Sequence, residues 1–356
     1  MSSILKVLRI ASLSAAALLF TSVAYFAFGA LSRETPPVVQ GTAHESLSRE
    51  SCVECHAPIA AEWRESYHFL SVAGPFWKRI RDRSFDRLFD RLRVPCMNCH
   101  APANILDLPP GQHPVERADA PELGVDCVSC HVSERGILGP GGQGGGAHEA
   151  TEDRRFRDPV MATTMICAAC HDEPAEHART VESWRSTQFA KDGVTCLHCH
   201  MPEVEAPAVT GGPKRLRRSH SFIADKDPRM LRGALNASIT LVTETREAIV
   251  RITNDRMGHS FPASGMNSLI VDVAVQNESK QAVMTVRRTF GTRELIPGYL
   301  DFWPFAKVSK IPYGESRELR VELPTGHGVV SAEFRYRDWF ALRDRDLTFA
   351  RIEKAY

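Results

Sequence analysis

Cys52-Val-Glu-Cys55-His56 is the first of five segments in which two cysteines bracket two residues and a histidine follows at once. The others are Cys96-Met-Asn-Cys99-His100, Cys127-Val-Ser-Cys130-His131, Cys167-Ala-Ala-Cys170-His171 and Cys196-Leu-His-Cys199-His200. All 10 cysteines of the chain fall in these segments. Two thiols at this spacing can add to the two vinyl groups of one porphyrin, and the adjoining imidazole then lies under the iron as its proximal ligand. Five such segments with no cysteine left over predict five covalently attached haem c groups. The cofactor-binding residues are then Cys52, Cys55, Cys96, Cys99, Cys127, Cys130, Cys167, Cys170, Cys196 and Cys199, and the proximal iron ligands are His56, His100, His131, His171 and His200.

Other uses of paired cysteines fit less well. A structural zinc takes two Cys-x-x-Cys pairs or one pair plus a spaced pair of histidines, and five pairs each with an abutting histidine do not divide that way. A thioredoxin-like motif occurs once, near a strand and a helix, rather than five times. Disulfides closed within each pair would be strained and would staple no long loop.

Composition bounds the rest. The chain has 356 residues, long enough for two domains, and its 44 basic and 43 acidic side chains nearly cancel. That balance argues against nucleic acid as a partner. With 24% charged and 43% hydrophobic residues the composition is that of a folded globular protein.

The N-terminus sets the compartment. Lys6 and Arg9 precede an uncharged stretch from Ile10 to Ser32, closed by Arg33 and Glu34. This is an export signal, and two readings of it stay open. Its length matches the roughly 20 residues of a membrane span, so it can remain as an inner-membrane anchor. Alternatively Ala27 and Gly29 are small residues suited to cleavage after Gly29. Either way the chain beyond about residue 33 is delivered to the periplasm or another extracytoplasmic space, where haem attachment occurs.

The five motifs follow one another closely between residues 52 and 200, with Pro- and Gly-rich chain between them. So little chain cannot wrap each haem in its own core. The porphyrins must supply much of the apolar interior, against residues such as Trp63, Phe69, Phe76, Trp77 and Trp184. Short helices after the motifs are expected, the clearest from Phe76 to Arg93 with Phe76, Ile80, Phe85, Leu88, Phe89 and Leu92 on one side. A weak internal repeat runs through this region. Trp63-Arg64 is echoed by Trp184-Arg185, and Gly124-Val125 before Cys127 by Gly193-Val194 before Cys196.

From about residue 235 cysteine disappears and apolar alternation takes over: Ile239 and Leu241, then Ala248, Val250 and Ile252, then Leu269, Val271, Val273 and Val275. Val283 to Phe290, then Leu319, Val321 and Leu323, then Ala332, Phe334 and Tyr336 continue the pattern. Six or more short strands predict an all-β sandwich of immunoglobulin-like shape. The fold class is therefore mixed, a haem-packed, mainly α and irregular cytochrome domain followed by an all-β domain. The boundaries are 1–32 for the signal or anchor, 33–48 for a linker, 49–232 for the pentahaem domain and 233–356 for the sandwich.

These motifs resemble the multihaem cytochromes c related to the tetrahaem electron acceptor of hydroxylamine oxidoreductase. The resemblance rests on Cys52-Val-Glu-Cys55-His56 followed by Glu62-Trp63-Arg64-Glu65-Ser66-Tyr67-His68, on Cys99-His100-Ala101-Pro102, and on Gly124-Val125-Asp126-Cys127 followed by a glycine-rich run ending at His148. It continues through Cys199-His200-Met201-Pro202, Ser219-His220-Ser221-Phe222 and Gly258-His259-Ser260-Phe261-Pro262, so that it covers roughly residues 50 to 262. It implies that His68, His148, His220 and His259 are distal iron ligands, and relatives range from electron carriers to enzymes and filament subunits.

The fifth distal position stays open. His177 and His113 are the best candidates, with His44 behind them; His198 sits inside the fifth motif, and His327 reads as a turn residue. Where His68 stands five residues after Trp63, Phe189 stands five after Trp184, so the second module lacks that ligand. Two histidines per iron would favour lower potentials than Met/His ligation. The cluster Lys214-Arg215-Leu216-Arg217-Arg218 reads either as a solvated loop or as a partner for haem propionates or for an acidic protein face.

The function expected is electron relay, which needs no catalytic acid, base or nucleophile. Partners would be redox proteins, a quinol-oxidising membrane complex or other multihaem cytochromes, with membrane contact through the N-terminal segment. Two alternatives belong to other classes. One is a haem oxidoreductase acting on a small nitrogen or sulfur species at a five-coordinate iron, and the other a subunit of an extracellular cytochrome filament.

Overall fold

The computed structural model describes residues 49–74, 96–106, 108, 112, 114–118, 123–133, 136–139, 151–152, 166–172, 179–224, 227–263, 267–291, 309–338 and 346–356. The N-terminal segment 1–48, the helix expected from Phe76 to Arg93, and His44, His113, His148 and His177 lie outside the described residues.

Each motif forms a short helix, and the spacing explains why. In a helix, positions i, i+3 and i+4 share one face, so both cysteines and the histidine point the same way. Cys96–His100, Cys127–His131 and Cys196–His200 are helical in full, and residues 166–171 are helical around the fourth motif. The first motif is divided: the helix Arg49–Cys55 ends at its second cysteine, and His56 precedes the helix Ala57–Arg64. Local polar groups start these helices. Asp126 accepts the Ser129 N–H at 3.2 Å, which satisfies a donor the first turn leaves open. The same carboxylate pairs with Arg117 at 3.0 Å, both side chains being buried.

The repeat read from the sequence is a structural one. The Trp63 indole donates to the Val125 carbonyl at 2.8 Å, and the Trp184 indole donates to the Val194 carbonyl at 3.0 Å. Both tryptophans are buried. In each module the glycine before that valine has positive φ, 69° at Gly124 and 74° at Gly193. Gly124 has a second constraint, since a Cβ there would lie 2.9 Å from the His68 carbonyl.

Three small strands follow the third motif: β1 (Val132–Ser133), β2 (Gly136–Gly139) and β3 (Thr151–Glu152). After the fifth motif comes an antiparallel hairpin of β4 (Glu203–Pro207) and β5 (Lys214–Arg218). The basic cluster is thus a strand, and two of its members are held internally: Arg217 pairs with Glu62 at 2.7 Å and Arg218 with Glu203 at 3.2 Å.

Seven strands make the C-terminal part: β6 (Asn236–Val242), β7 (Glu247–Thr253), β8 (Asn267–Asn277), β9 (Ala282–Gly291), β10 (Ser316–Glu322), β11 (Gly328–Asp338) and β12 (Leu347–Ala355). They form two antiparallel sheets in the orders β10-β7-β6 and β12-β11-β8-β9. Ala248, Val250 and Ile252 alternate inward from β7, and Val273 and Val275 from β8, against Val330, Ala332 and Phe334 of β11. Burial of one such side chain contributes about 1.5–3 kcal/mol. The core also takes in Leu231, from the helix Pro228–Arg232 just before the first strand. It lies wholly between residues 231 and 356, and no comparable apolar cluster occupies the described part of the motif region. Among the described residues no helix is long and apolar enough to cross a membrane, and the segment from Ile10 to Ser32 is outside them.

Candidate functional site

Histidines far apart in sequence meet in pairs. The rings of His131 and His220 have centroids 6.1 Å apart, those of His200 and His259 6.3 Å, and those of His68 and His171 6.4 Å. Each pair joins the histidine of a Cys-x-x-Cys-His motif to one outside any motif. The separation has a specific meaning. Two imidazoles bound through Nε2 on opposite sides of one metal, at bonds of about 2.0 Å and with each ring centre about 1.1 Å beyond its nitrogen, have centroids about 6.2 Å apart. Three pairs at that distance, each with two thiols alongside on a short helix, fit a porphyrin-bound iron with one imidazole on each face. Among the described residues no group of three or more His, Cys, Asp or Glu converges, as a tetrahedral zinc would require.

Hydrogen bonds set the tautomers. Nδ1 of His56 meets the Ala208 carbonyl at 2.9 Å, that of His100 the Ser71 carbonyl at 2.9 Å, and that of His200 the Ile223 carbonyl at 2.6 Å. Nδ1 of His220 meets the Arg218 carbonyl at 3.1 Å, and that of His259 the Ser260 carbonyl at 2.9 Å. A carbonyl oxygen only accepts, so in each of these rings Nδ1 carries the hydrogen and Nε2 offers its lone pair. His198 is arranged the other way. Its Nδ1 accepts the Thr195 backbone N–H at 3.1 Å, which puts the hydrogen of the neutral ring on Nε2. It closes a capping box with Thr195.

Burial favours the uncharged form at several of these rings. It pushes His68 down to about 3, with His171 adding to the effect, and His220 and His259 down to about 4. The same cause lowers His100 and His171, although the latter keeps exposed surface. Neutral imidazole is the form that binds a metal. Lys310 sits near His259 and donates to the Ala263 carbonyl at 2.6 Å, and burial lowers its pKa to about 8.

The carbonyl or N–H of each paired non-motif histidine is held by a polar side chain. The single Ser71 hydroxyl hydrogen is shared between the His68 carbonyl at 2.7 Å and the His100 carbonyl at 2.8 Å, tying the His68 segment to the second motif. Asn254, fully buried, donates to the His259 carbonyl at 2.9 Å and to the Ile311 carbonyl at 2.8 Å. The Ser260 N–H donates to the Ser183 hydroxyl at 2.8 Å, which docks this β7–β8 connection on the helix Thr180–Arg185. For His220 the clamp is Glu62, whose Oε2 accepts the His220 N–H at 2.8 Å.

Thiols of different motifs are also neighbours. Cys52 hydrogen-bonds Cys127, Cys99 bonds Cys170, and Cys196 bonds Cys167. These bonds, with burial behind them, push the Cys127 and Cys170 pKa values up. Phe189, which stands where the first module has His68, packs edge-on against Tyr313 with centroids 5.8 Å apart. The partners across each histidine pair are invisible to motif spacing, and so is the tautomer code. The resemblance signalled the histidines but not which motif each one faces.

Comparison with known proteins agrees on the class. Residues 51–132 match the family described as cytochrome c554 and c-prime. In fold the chain is similar to a penta-haem cytochrome c552 from Thermochromatium tepidum, at 19% sequence identity and a TM-score of 0.58, over 87% of this chain and 99% of that one. A protein assigned as ApaA from Bordetella pertussis aligns with 33% of this chain and 90% of its own at 14% identity, and its TM-score of 0.18 carries no argument. No curated protein matches the sequence. The family match and the shared fold support a multihaem c-type cytochrome with a β-rich C-terminal part.

Proposed function

We propose that this protein is a pentahaem c-type cytochrome that relays electrons one at a time between redox partners outside the cytoplasm. The observation that carries the reading is the set of three imidazole pairs at 6.1, 6.3 and 6.4 Å, each containing one motif histidine. A haem held at such a pair supplies a one-electron couple between Fe(III) and Fe(II). The chain's own residues do the rest. The ten cysteines are the attachment points, and the carbonyl-bound Nδ1 atoms orient the rings. Burial favours the neutral form of His100, His220 and His259 among them.

In this reading His131 and His220 serve the third motif, His68 and His171 the fourth, and His200 and His259 the fifth. His148, with His177 or His113, completes the first two. The thiol contacts join the first motif to the third, and the second and fifth to the fourth, and Cys130 of the third motif lies near Cys167 and Cys170 of the fourth, so the five centres form one connected electron path. The C-terminal domain reads as an immunoglobulin-like sandwich. Its first, second and fifth strands form one sheet and its third, fourth, sixth and seventh the other, which differs from the ABED–CFG arrangement only in the fourth strand. The uncharged segment from Ile10 to Ser32 exports the chain and leaves it periplasmic or held at the inner membrane. Its partners are then a quinol-oxidising membrane complex or other multihaem cytochromes. The cytochrome c554 and c-prime match supports the kinship with the acceptor of hydroxylamine oxidoreductase that the motifs suggest.

The test is low-temperature EPR of the oxidised holoprotein, with haem stoichiometry from intact mass and a parallel titration with cyanide or nitrite. Five haems, all low-spin and indifferent to added ligand, are expected. A high-spin iron that responds to nitrite would replace the relay with an enzyme acting at that centre.

A further inference from the structure

The hairpin β4–β5 turns one arginine inward. Arg217 is buried, its side chain only 8% exposed, while the neighbouring Lys214 and Arg215 are exposed. Its guanidinium meets Glu62 with two parallel bonds, Nη2 to Oε1 at 2.7 Å and Nη1 to Oε2 at 3.0 Å. Two more of its five donors are used: Nε reaches the Pro207 carbonyl at 3.1 Å and Nη1 the Arg218 carbonyl at 3.1 Å. A fork-on-fork pair of this kind fixes both partners in angle as well as in distance. Glu62 belongs to the helix Ala57–Arg64, one residue before the buried Trp63, so it is anchored to the first module.

The same carboxylate holds the chain at His220. Oε2 of Glu62 accepts the His220 backbone N–H at 2.8 Å, and the Arg218 carbonyl, itself bound by Arg217, accepts from Nδ1 of the His220 ring. Two bonds thus fix the residue from opposite ends, one at its backbone and one at its ring. Both trace back to one ion pair. The ring they hold is the one 6.1 Å from His131.

We propose that Glu62 and Arg217 are a positioning pair that aims His220 at the iron of the third motif, and that their opposed charges bias the reduction potential of that centre. This rests on the reading that His131 and His220 share a haem. The consequences have opposite signs. Neutralising Glu62 leaves the Arg217 cation, which favours the electron-rich Fe(II) state. Removing Arg217 leaves the Glu62 anion, which favours Fe(III). A shift of about threefold in the ratio of reduced to oxidised iron, or about 28 mV at 59 mV per tenfold for one electron, is expected in each direction.

The experiment uses full-length holoprotein carrying His220→Ala, Glu62→Ala, Glu62→Gln or Arg217→Met, read by EPR and by spectroelectrochemical titration. His220→Ala should turn one haem high-spin. Glu62→Ala should produce the same high-spin signal in part of the molecules. Glu62→Gln keeps an oxygen for the His220 N–H, so it should restore the low-spin signal and yet raise one potential, while Arg217→Met should lower the same one. The positioning pair is overturned if His220→Ala gives the high-spin signal while the Glu62 and Arg217 variants keep wild-type spectra and potentials. Shifts of the same sign in Glu62→Gln and Arg217→Met would overturn the electrostatic half. A fully low-spin His220→Ala would remove the underlying ligand assignment as well.

Discussion

The Tyr67 hydroxyl donates to Asp338 Oδ2 at 2.6 Å, which joins the residue beside His68 to the last residue of β11. The two are 271 positions apart in sequence, so this bond links the motif region directly to the C-terminal sheets. A hydrogen bond to a carboxylate contributes about 1.5–3 kcal/mol when well shielded, and this one is only partly buried. Tyr67→Phe should therefore lower stability by about 1 kcal/mol. Denaturant unfolding of the holoprotein measures it, with Asp338→Asn as the partner change. If the bond couples the two parts, the double variant should lose no more than the larger single loss.

How much of this was legible in the sequence depends on distance along the chain. The motifs themselves were legible because Cys, Cys and His at fixed spacing are a local pattern, whereas the reading placed helices after the motifs and the structure makes the motifs themselves helical. The Trp63 and Trp184 modules were legible because each repeats a tryptophan and a Gly-Val at matching places. The pairing of His131 with His220, or of His200 with His259, was not. Those contacts are made by loops whose course is set by long-range bonds such as Asn254 to His259 and Glu62 to His220. The Lys214 to Arg218 cluster shows the same limit. As a sequence it is a run of charge; only the position of Glu62, far away along the chain, draws Arg217 inward, while Arg215, two residues earlier on the same face of β5, stays exposed.

His198 offers a direct check of the tautomer argument. It is the one histidine inside a motif that does not follow the second cysteine, and its Nδ1 is occupied by the Thr195 N–H. His198→Ala should leave every haem signal in the EPR spectrum unchanged. The cost should appear as the loss of a helix cap, about 0.5–1 kcal/mol in thermal unfolding. A new high-spin signal in this variant would show that His198 binds iron and that the hydrogen-bond pattern does not sort ligands from bystanders.

Asp272 gives the fold a dependence on acid. It lies across β8 and β9 from Arg287, which bonds it at 2.6 Å, and Arg335 of β11 also donates to it. Burial alone would raise its pKa, but the bonds to Arg287 and Arg335 outweigh that and hold it below the ordinary aspartate value of 3.8. A carboxyl whose pKa is lower folded than unfolded contributes stability above the unfolded value and loses it as the pH falls through the folded one. Asp272→Asn should lower stability by about 1–2 kcal/mol at neutral pH, and the gap to wild type should shrink below about pH 4. Urea midpoints measured from pH 7 down to 3 would decide it, since a constant gap across that range would mean that the charge is not the cause.

Asn254 and Phe334 separate the site held by the C-terminal domain from the stability of that domain. Both are essentially fully buried. Asn254 spends its amide hydrogens on the His259 and Ile311 carbonyls, so Asn254→Ala takes the donor from the buried His259 carbonyl and frees the β7–β8 connection, while the Ile311 carbonyl still accepts the Phe261 N–H. Phe334 packs in the core between the sheets, at 6.3 Å from the Phe349 ring, and touches neither carbonyl through a hydrogen bond. One unsatisfied buried acceptor costs about 1–3 kcal/mol. Phe334→Leu should lose roughly 1–1.5 kcal/mol, as near volume-conserving core changes do. If the domain merely has to be folded for His259 to reach its place beside His200, the two variants should show the same spectrum well below their melting temperatures. If the buried amide is what aims the ring, only Asn254→Ala should convert part of one haem to the high-spin form at 4 °C, while Phe334→Leu melts earlier with all haems low-spin until it does. The second outcome follows from the geometry, because the bond from Asn254 reaches the His259 carbonyl itself whereas the Phe334 ring supports the sheet as a whole.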